Sequence, residues 1–308
     1  MLRTLLLALS TRPSIGDLMA RVPGGRAFVR RFVAGTTSHD ALAVMEGLRD
    51  QGLMTAVTYL GENVHAPADA EHATATYLDL LDEIARRRLP AVPSLKLTHL
   101  GLDLDPALGK KNLVRVLARA RGQGTRVWID MESAAYTEHT LNLYAEVHAE
   151  YANAACVVQA YLRRTGSDVE RLIALGAAVR LCKGAYREPP ALAFAGKREV
   201  DASYRRLVDR LLAPDAQARG VYVGFATHDP EMIGHVGTRV AERGIAPERF
   251  EHQMLFGIRG DLHARLAAQG RPLRVLVPFG EDWYGYFMRR LAERPANLVF
   301  LVKNLMRP

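Results

Sequence analysis

The chain has few cysteines and lacks the spaced motifs that mark several enzyme classes. Cys156 and Cys182 are its only cysteines, and the sequence holds no Cys-x-x-Cys pair and no His-Glu-x-x-His run. These absences argue against a disulfide framework and against a zinc centre of the usual spacing, so we predict no metal site. Both thiols lie in apolar stretches, which favours buried cysteines in a reducing compartment.

Long apolar runs are also missing. No stretch approaches the roughly 18 apolar residues of a membrane-spanning helix. The apolar core of the N-terminus, residues 5–9, is shorter than the roughly 7 to 15 residues of a secretory signal. The arginine-rich start is compatible with a mitochondrial presequence, but an amphipathic helix is the simpler interpretation. We therefore expect a cytoplasmic protein.

Nucleotide-binding signatures are absent as well. No Gly-x-Gly-x-x-Gly follows a predicted strand and no Walker-type loop occurs, so a dinucleotide would have to bind without a Rossmann motif. The net charge is +8, yet lysines and arginines alternate with acids, as in residues 79–88 and 242–251. Such mixing is typical of solvated helix faces. We expect no nucleic-acid partner, and a basic nucleic-acid-binding protein is the alternative from another functional class.

What the sequence does contain is one alternating pattern of short apolar runs and longer stretches with helical spacing. This pattern predicts parallel strand–helix units, and their number favours a (β/α)₈ barrel of the TIM type in one domain. An open doubly wound sheet is the second choice. The predicted barrel covers residues 53–308, and residues 1–52 form a helical appendage. The predicted strands are 53–60, 91–97, 126–131, 154–160, 177–182, 221–226, 250–255 and 273–278.

Start and stop signals support the helices between these strands. Asp229 followed by Pro230 predicts the start of one helix, and Thr137 is predicted to cap the helix that begins at residue 138. Glycines 122, 244 and 270 mark helix ends. The predicted helices are 68–88, 108–121, 138–151, 200–212, 230–243 and 262–269.

Polar side chains follow nearly every predicted strand. A buried parallel strand is almost wholly apolar, so charges at its carboxyl end need a reason, and barrel enzymes place their active sites at that end. We expect the inward charges to pair across neighbouring strands, and an ion cluster that only fills the barrel top is the alternative. The charged strand-end residues are Lys96, Asp130, Glu132 and Arg180.

The last unit has a different composition. Tyr286, Arg289, Arg290 and Glu293 are spaced by three and four residues, so a helix would bring them together. Adjacent guanidinium groups are well suited to binding a carboxylate. An exposed basic helix end is the alternative. We predict that this helix lies over the active site.

The motifs at the strand ends resemble those of the proline dehydrogenases, flavin-dependent (β/α)₈ enzymes of proline catabolism. The resemblance runs from about residue 58 to the C-terminus, in register with the strand ends. Five motifs in the expected order carry it: residues 94–98 (SLKLT), 130–132 (DME), 180–186 (RLCKGAY), 225–228 (FATH) and 286–295 (YFMRRLAERP).

The resemblance implies FAD as cofactor and oxidation of L-proline to Δ1-pyrroline-5-carboxylate, with a hydride passing to flavin N5. Asp130 would lie beside the substrate as a catalytic residue, and Arg180 would contact the flavin near N5. A quinone would receive the electrons. In the substrate site, Lys96, Arg289 and Arg290 would hold the carboxylate while Tyr186 and Tyr286 pack against the ring.

Further roles follow from the same resemblance. Glu62 would pair with Arg289 and close the entrance, Glu293 would orient the arginine pair, and Glu132 would steady the site. The residues expected to contact FAD, besides Arg180, are Met131, Gln159, Lys183, Gly184, Ala185, Thr227 and His228.

One departure concerns substrate range. Some members of the family have a tyrosine where this chain has Leu276, and that tyrosine limits substituents on the proline ring, so Leu276 argues against strict exclusion of hydroxyproline. We expect a separate pyrroline-5-carboxylate dehydrogenase as a partner, and peripheral contact with the inner membrane that holds the quinone. A Schiff-base aldolase using Lys96 or Lys183 is the alternative enzyme.

Overall fold

Eight parallel strands close into a barrel in the order in which they follow along the chain. The computed structural model describes residues 29–293. All eight predicted strands are confirmed, and the open sheet is wrong because β1 pairs with β8 from Met54 opposite Arg274 to Tyr59 opposite Phe279. The strands are β1 Met54–Tyr59, β2 Ala91–Leu95, β3 Val127–Ile129, β4 Ala154–Gln159, β5 Ala178–Cys182, β6 Tyr222–Ala226, β7 Phe250–Leu255 and β8 Leu273–Phe279.

Helices between the strands form the outer layer. Of the predicted appendage, residues 38–49 form helix α1 and residues 30–37 form turns and irregular structure, while residues 1–28 lie outside the described part of the chain. Within residues 29–293, no helix is both long and apolar enough to cross a membrane. The helices are α1 Ser38–Arg49, α2 Pro67–Arg86, α3 Pro106–Gly122, α4 Ala134–His148, α5 Thr165–Ala174, α6 Lys197–Leu211, α7 Pro214–Ala218, α8 Pro230–Glu242, α9 Gly260–Ala268 and α10 Trp283–Glu293.

Helix starts were predicted with mixed success. Asp229 caps α8, with Pro230 in the first turn, as expected. The cap at Thr137 is wrong, because α4 begins at Ala134 and Thr137 is buried within it. The amide of Ala134 donates to the Glu188 carboxylate at 2.7 Å. The start of this helix is therefore held by a residue far along the chain, which local spacing does not reveal.

The interior of the barrel is partly polar. Trp128 fills part of it, and its ring lies 4.6 Å below the guanidinium carbon of Arg180. Gly224 makes room, since a Cβ there would lie 2.5 Å from the side-chain nitrogen of Gln253. Cys156 is buried and Cys182 half-buried, and both are free thiols. Burial raises the pKa of each thiol to about 12, which keeps both protonated.

Helix α10 is held against the barrel by the segment that precedes α1. The rings of Phe32 and Phe287 meet edge to face at 5.9 Å, and the Ala34 amide donates to the Pro278 carbonyl at 2.9 Å. Gly257 permits this path, because a Cβ at its positive φ would lie 1.6 Å from the carbonyl oxygen of Arg31. Residues 29–34, called the strap below, therefore pack against α10 and hold it near the barrel.

Candidate active site

Residues from the ends of β5 to β8 and from α10 surround a cavity of about 600 Å³, within the size range of ligand sites. Leu276 of β8 contributes an apolar wall and Arg290 of α10 a cationic one. The other residues that line this cavity and were singled out from the sequence are Arg180, Lys183, Gly184, Ala185, Thr227 and His228.

Arg180, which lines this cavity, forms an ion pair with Asp130. Nη1 of Arg180 lies 2.7 Å from Oδ1 of Asp130 and donates to the Ser94 hydroxyl at 2.8 Å. The Ser94 hydroxyl in turn donates to Oδ1 of Asp130 at 2.8 Å. The expected pairing of inward charges is confirmed for Asp130 and Arg180, although β4 lies between β3 and β5 and the two strands are not neighbours. A closed triangle of this kind fixes the guanidinium in position.

Arg180 is a buried charged residue, and one of its guanidinium nitrogens has no hydrogen-bond acceptor among the described residues. Burial lowers the pKa of Arg180, although Asp130 and Glu251 oppose that shift, and the group stays protonated near neutral pH. Its Nη2 has no hydrogen-bond partner among the side chains that the structure describes. A buried donor without an acceptor is costly unless a ligand supplies one.

Lys183 projects from the end of β5 into a cluster with two aspartates. Its Nζ lies 2.5 Å from Asp201 and 2.6 Å from Asp229, and Lys197 also pairs with Asp201. Burial raises the pKa of both acids, but hydrogen bonds and charges from the lysines prevail and lower it. Asp201, on α6, is a residue that the sequence analysis missed.

Position 184 accepts only glycine, because of its backbone conformation and the nearby Tyr161 ring. Its φ of +114° is one that side chains rarely adopt, and a Cβ there would lie 2.1 Å from the Tyr161 ring. Without a side chain, the backbone of this turn packs closely on the Tyr161 ring while it lines the cavity. A flat ring or a phosphate approaches such a backbone closely.

His228 and Thr227 are both fixed by backbone groups at the end of β6. Nε2 of His228 accepts the Leu255 amide at 2.9 Å, so its proton in the neutral form lies on Nδ1. The Thr227 hydroxyl accepts the Asp229 amide at 3.1 Å. The side chains that face the cavity are thus oriented before any ligand binds.

A second cavity, of about 690 Å³, lies between the loops after β1 and β2 and the start of α10. Glu62, Lys96 and Tyr286 line it. Nζ of Lys96 lies 2.9 Å from Oε2 of Glu62, so Lys96 pairs with an acid of the β1 loop rather than with a strand-end acid. The side chain of Arg289 is not among the described ones, so its predicted pairing with Glu62 stays a prediction.

Glu132 and Gln159 stabilise the turns beneath these cavities. Glu132 is buried and accepts the Thr98 hydroxyl at 2.7 Å and the Thr98 amide at 3.2 Å. Burial raises the pKa of Glu132, partly offset by those hydrogen bonds. Gln159 donates to the Glu132 carbonyl at 2.8 Å, and Met131 is buried beside them. The turn after β3 is thereby fixed.

Helix α10 borders both cavities. Tyr286 lines the cavity of Lys96 and Arg290 lines that of Arg180, and the Arg290 guanidinium carbon lies 5.2 Å from the centre of the Tyr286 ring. The side chains of Arg289 and Glu293 lie outside the described ones. Tyr186, after β5, is half-buried. Of the predicted patch on α10, Tyr286 and Arg290 therefore each line one of the two cavities.

Comparison with known proteins gives the same family as the motifs. The proline dehydrogenase family model matches residues 41–303. Proline dehydrogenase 1 of Bacillus subtilis (strain 168) is 38% identical over 307 residues, which cover 100% of both chains. The chain belongs to the proline dehydrogenase family. Proline dehydrogenase 2 of the same strain is also 38% identical, over 93% of each chain, and the proline dehydrogenase of Deinococcus radiodurans is 34% identical over 99% of this chain and 98% of its own.

A solved structure supports the fold. Proline utilization A from Bdellovibrio bacteriovorus, inactivated by N-propargylglycine, superposes with a TM-score of 0.79 at 24% identity over 87% of this chain. The match spans 32% of that longer chain. As a member of its family, the chain is an oxidoreductase that acts on proline in proline catabolism, and its family implies a redox cofactor.

Proposed function

We propose that the cofactor is FAD and that the enzyme oxidises L-proline to Δ1-pyrroline-5-carboxylate. The observation that carries this proposal is the Arg180 guanidinium, which is fixed by Asp130 but keeps one buried donor, Nη2, without an acceptor among the described side chains. It lines the cavity of about 600 Å³ together with the backbone of Gly184. A flat, electron-accepting ring fits both features.

The residues around this cavity suit the cofactor. Lys183, kept in place by Asp201 and Asp229, would contact it from β5, and Thr227 and His228 from β6. Gly184 and Ala185 would present backbone, with Met131 and Gln159 at the neighbouring strands. FAD, when bound, supplies an acceptor for a hydride at N5. Arg180 would stabilise the negative charge that reduction adds.

Substrate would lie between α10 and the strand ends. Lys96, Arg289 and Arg290 would hold its carboxylate, and Tyr186 and Tyr286 would pack on its ring, with Leu276 as an apolar wall. Such clamps orient the substrate and exclude water. Glu293 would then orient the two arginines, and Glu62 would leave Lys96 to pair with Arg289 once the substrate carboxylate is bound.

The chemistry requires a neutral substrate amine. Loss of a hydride from the carbon next to nitrogen gives a carbon–nitrogen double bond, and the protonated imine then releases its proton to water. Oδ1 of Asp130 already accepts two hydrogen bonds, from Ser94 and Arg180. We therefore assign Asp130 to orienting Arg180, and Glu132 to fixing the turn at Thr98.

Beyond the site itself, we propose that a membrane quinone receives the electrons and that a separate pyrroline-5-carboxylate dehydrogenase takes the product. The net charge of +8 supports peripheral contact of a cytoplasmic enzyme with an anionic inner-membrane surface.

The experiment is an anaerobic titration of the purified protein. We expect a yellow protein whose absorbance bleaches on addition of L-proline, with hydroxyproline run in parallel to test the open space at Leu276. A colourless protein that cannot be reconstituted with FAD would refute the proposal.

The Schiff-base alternative is disfavoured by the two lysines on which it depends. Lys96 is paired with Glu62, and Lys183 with both Asp201 and Asp229. A lysine that attacks a carbonyl needs a neutral amine in an apolar pocket. Borohydride trapping with a carbonyl substrate should give no adduct.

A further inference from the structure

A row of alternating charges crosses the barrel interior beneath the candidate site. The row begins with the ion pair of Asp130 and Arg180. From Arg180, hydrogen bonds lead to Gln253 of β7, to Glu251 of the same strand, and to Arg274 at the start of β8. Oε1 of Gln253 accepts from Nε of Arg180, and its Nε2 donates to Glu251 Oε1 at 2.6 Å. Arg274 donates to the same Glu251 oxygen at 2.8 Å.

This array is closed off from solvent. Glu251 is fully buried, Gln253 is 6% exposed and Arg274 9%. Nη1 of Arg274 donates to the Thr55 carbonyl at 2.8 Å, at the foot of the barrel. Four charges of alternating sign, on Asp130, Arg180, Glu251 and Arg274, thus balance one another within the interior. Such a set is expensive to bury and is weak evidence for stability alone.

The order of donors and acceptors gives the array a direction. A carboxylate only accepts hydrogen bonds, so Glu251 obliges Gln253 to turn its amide nitrogen toward it. The amide oxygen must then face Arg180. If the amide turned over, its nitrogen would meet another donor, and the guanidinium would have to move.

The ionised state of Glu251 is what enforces this direction. Burial raises the pKa of Glu251, but the charge of Arg274 and hydrogen bonds from Arg274, Tyr222 and Gln253 prevail, and the pKa stays below its ordinary value. Glu251 therefore remains an acceptor over the whole neutral range.

Gly224 shows that the interior is shaped around Gln253. It lies on β6, directly opposite both Arg180 and Glu251 in the strand register. A Cβ at Gly224 would lie 2.5 Å from Nε2 of Gln253 and 3.4 Å from the Trp128 ring. A single methyl group there would displace the amide without changing any charge.

We propose that Gln253, Glu251 and Arg274 are positioning residues that fix the Arg180 guanidinium at the height where it meets the electron-accepting cofactor. This inference rests on the proposed function of the cavity. Glu251 and Arg274 act through Gln253, which holds the Arg180 guanidinium and lines the cavity beside it.

Three variants test the array. Gln253→Leu removes the acceptor of Arg180. Glu251→Met combined with Arg274→Met removes the lower pair without leaving a lone buried charge, a replacement that is often neutral or stabilising. Gly224→Ala displaces the amide only. Gly234→Ala is the matched control, since its Cβ would meet nothing within 4 Å.

The measurements are the reduction potential of the bound flavin, the rate of its anaerobic reduction at saturating proline, and the Kd for proline. We expect a more negative potential and a rate lowered about tenfold in the three test variants, because a displaced donor no longer meets the developing charge. The Kd for proline should change less than about threefold, and Gly234→Ala should match wild type.

Wild-type protein is measured first. If it binds no flavin or fails to bleach, the proposed function is wrong. If wild type bleaches and the folded variants keep its potential and rate, the positioning array is wrong. Should Gln253→Leu fail to fold, the paired methionine variant and Gly224→Ala decide between these outcomes.

Discussion

Lys96 and Glu62 form an ion pair of 2.9 Å that joins the loops after the first two strands. Both side chains are partly exposed, 17% and 29%, so the pair itself contributes at most about 1 kcal/mol to stability. Its significance is positional, because a substrate carboxylate that binds Lys96 must compete with Glu62.

We expect Lys96→Met to raise the KM for proline at least tenfold while FAD is retained. A hydrogen bond to a charged group contributes roughly 1.5 to 3 kcal/mol. Glu62→Gln should change KM a few-fold in the opposite direction, since it removes the competitor. Steady-state kinetics of both variants check this, and equal increases in KM would mean that Glu62 orients the lysine instead.

Gly184→Ala should weaken FAD binding at least tenfold. The new methyl group would meet the Tyr161 ring at 2.1 Å, and the φ of +114° is strained for alanine. The flavin content of the purified protein and a fluorescence titration with FAD give the result. Gly234→Ala serves as control, and full flavin content in Gly184→Ala would contradict the proposed contact.

Phe32→Ala should raise the KM for proline as well as lower the thermal stability. Its ring is 2% exposed and packs on Phe287 of α10, and truncation of a buried aromatic ring costs about 3 to 5 kcal/mol. Leu117→Ala in α3, at another fully buried position, is the matched control. If both variants lose stability and neither alters KM, the strap does not position α10.

The stability of the enzyme should fall as the pH drops from about 6.5 to about 4. Burial lowers the pKa of His252 to about 4, and neither of its ring nitrogens has a hydrogen-bond partner among the described residues. In this window the unfolded chain binds a proton at His252 that the folded chain does not, so acid favours unfolding.

The full effect of this single group is roughly 3 kcal/mol, because folding lowers the pKa of His252 from 6.5 to about 4. Urea unfolding at pH 7 and pH 4.5 measures it. His252→Phe should lose less stability than wild type over that interval, and an identical loss would assign the pH dependence to other groups, among them His99, whose pKa burial also lowers to about 4.

The barrel was predictable because each strand is a short apolar run followed by a polar end, and β1 to β8 lie where that pattern places them. The pairing of Asp130 with Arg180 followed from two inward charges on nearby strands. Side chains that meet only after closure were not predictable: Asp201 reaches Lys183 from a helix, and Glu188 caps α4 across 54 residues.

The sequence offered a weaker signal for the interior array. Polar residues occur on two strands whose buried positions should be apolar. Glu251 and Gln253 are two positions apart on β7 and so share one face, and Arg274 lies on β8. Nothing in the spacing shows that they join Arg180 rather than the solvent. Their partners depend on the pairing of β7 with β8 and on the small residue at Gly224.

Closure of β1 against β8 also governs when the enzyme becomes active during synthesis. The hydrogen bond from Arg274 to Thr55 joins residues 219 positions apart, and contacts of such long range form late because the loop between them must first be ordered. A nascent chain whose last strand is still within the ribosome can pair β1 to β7 but lacks both β8, which closes the barrel, and α10. Catalytic competence should therefore appear only after the last strand and helix have been made.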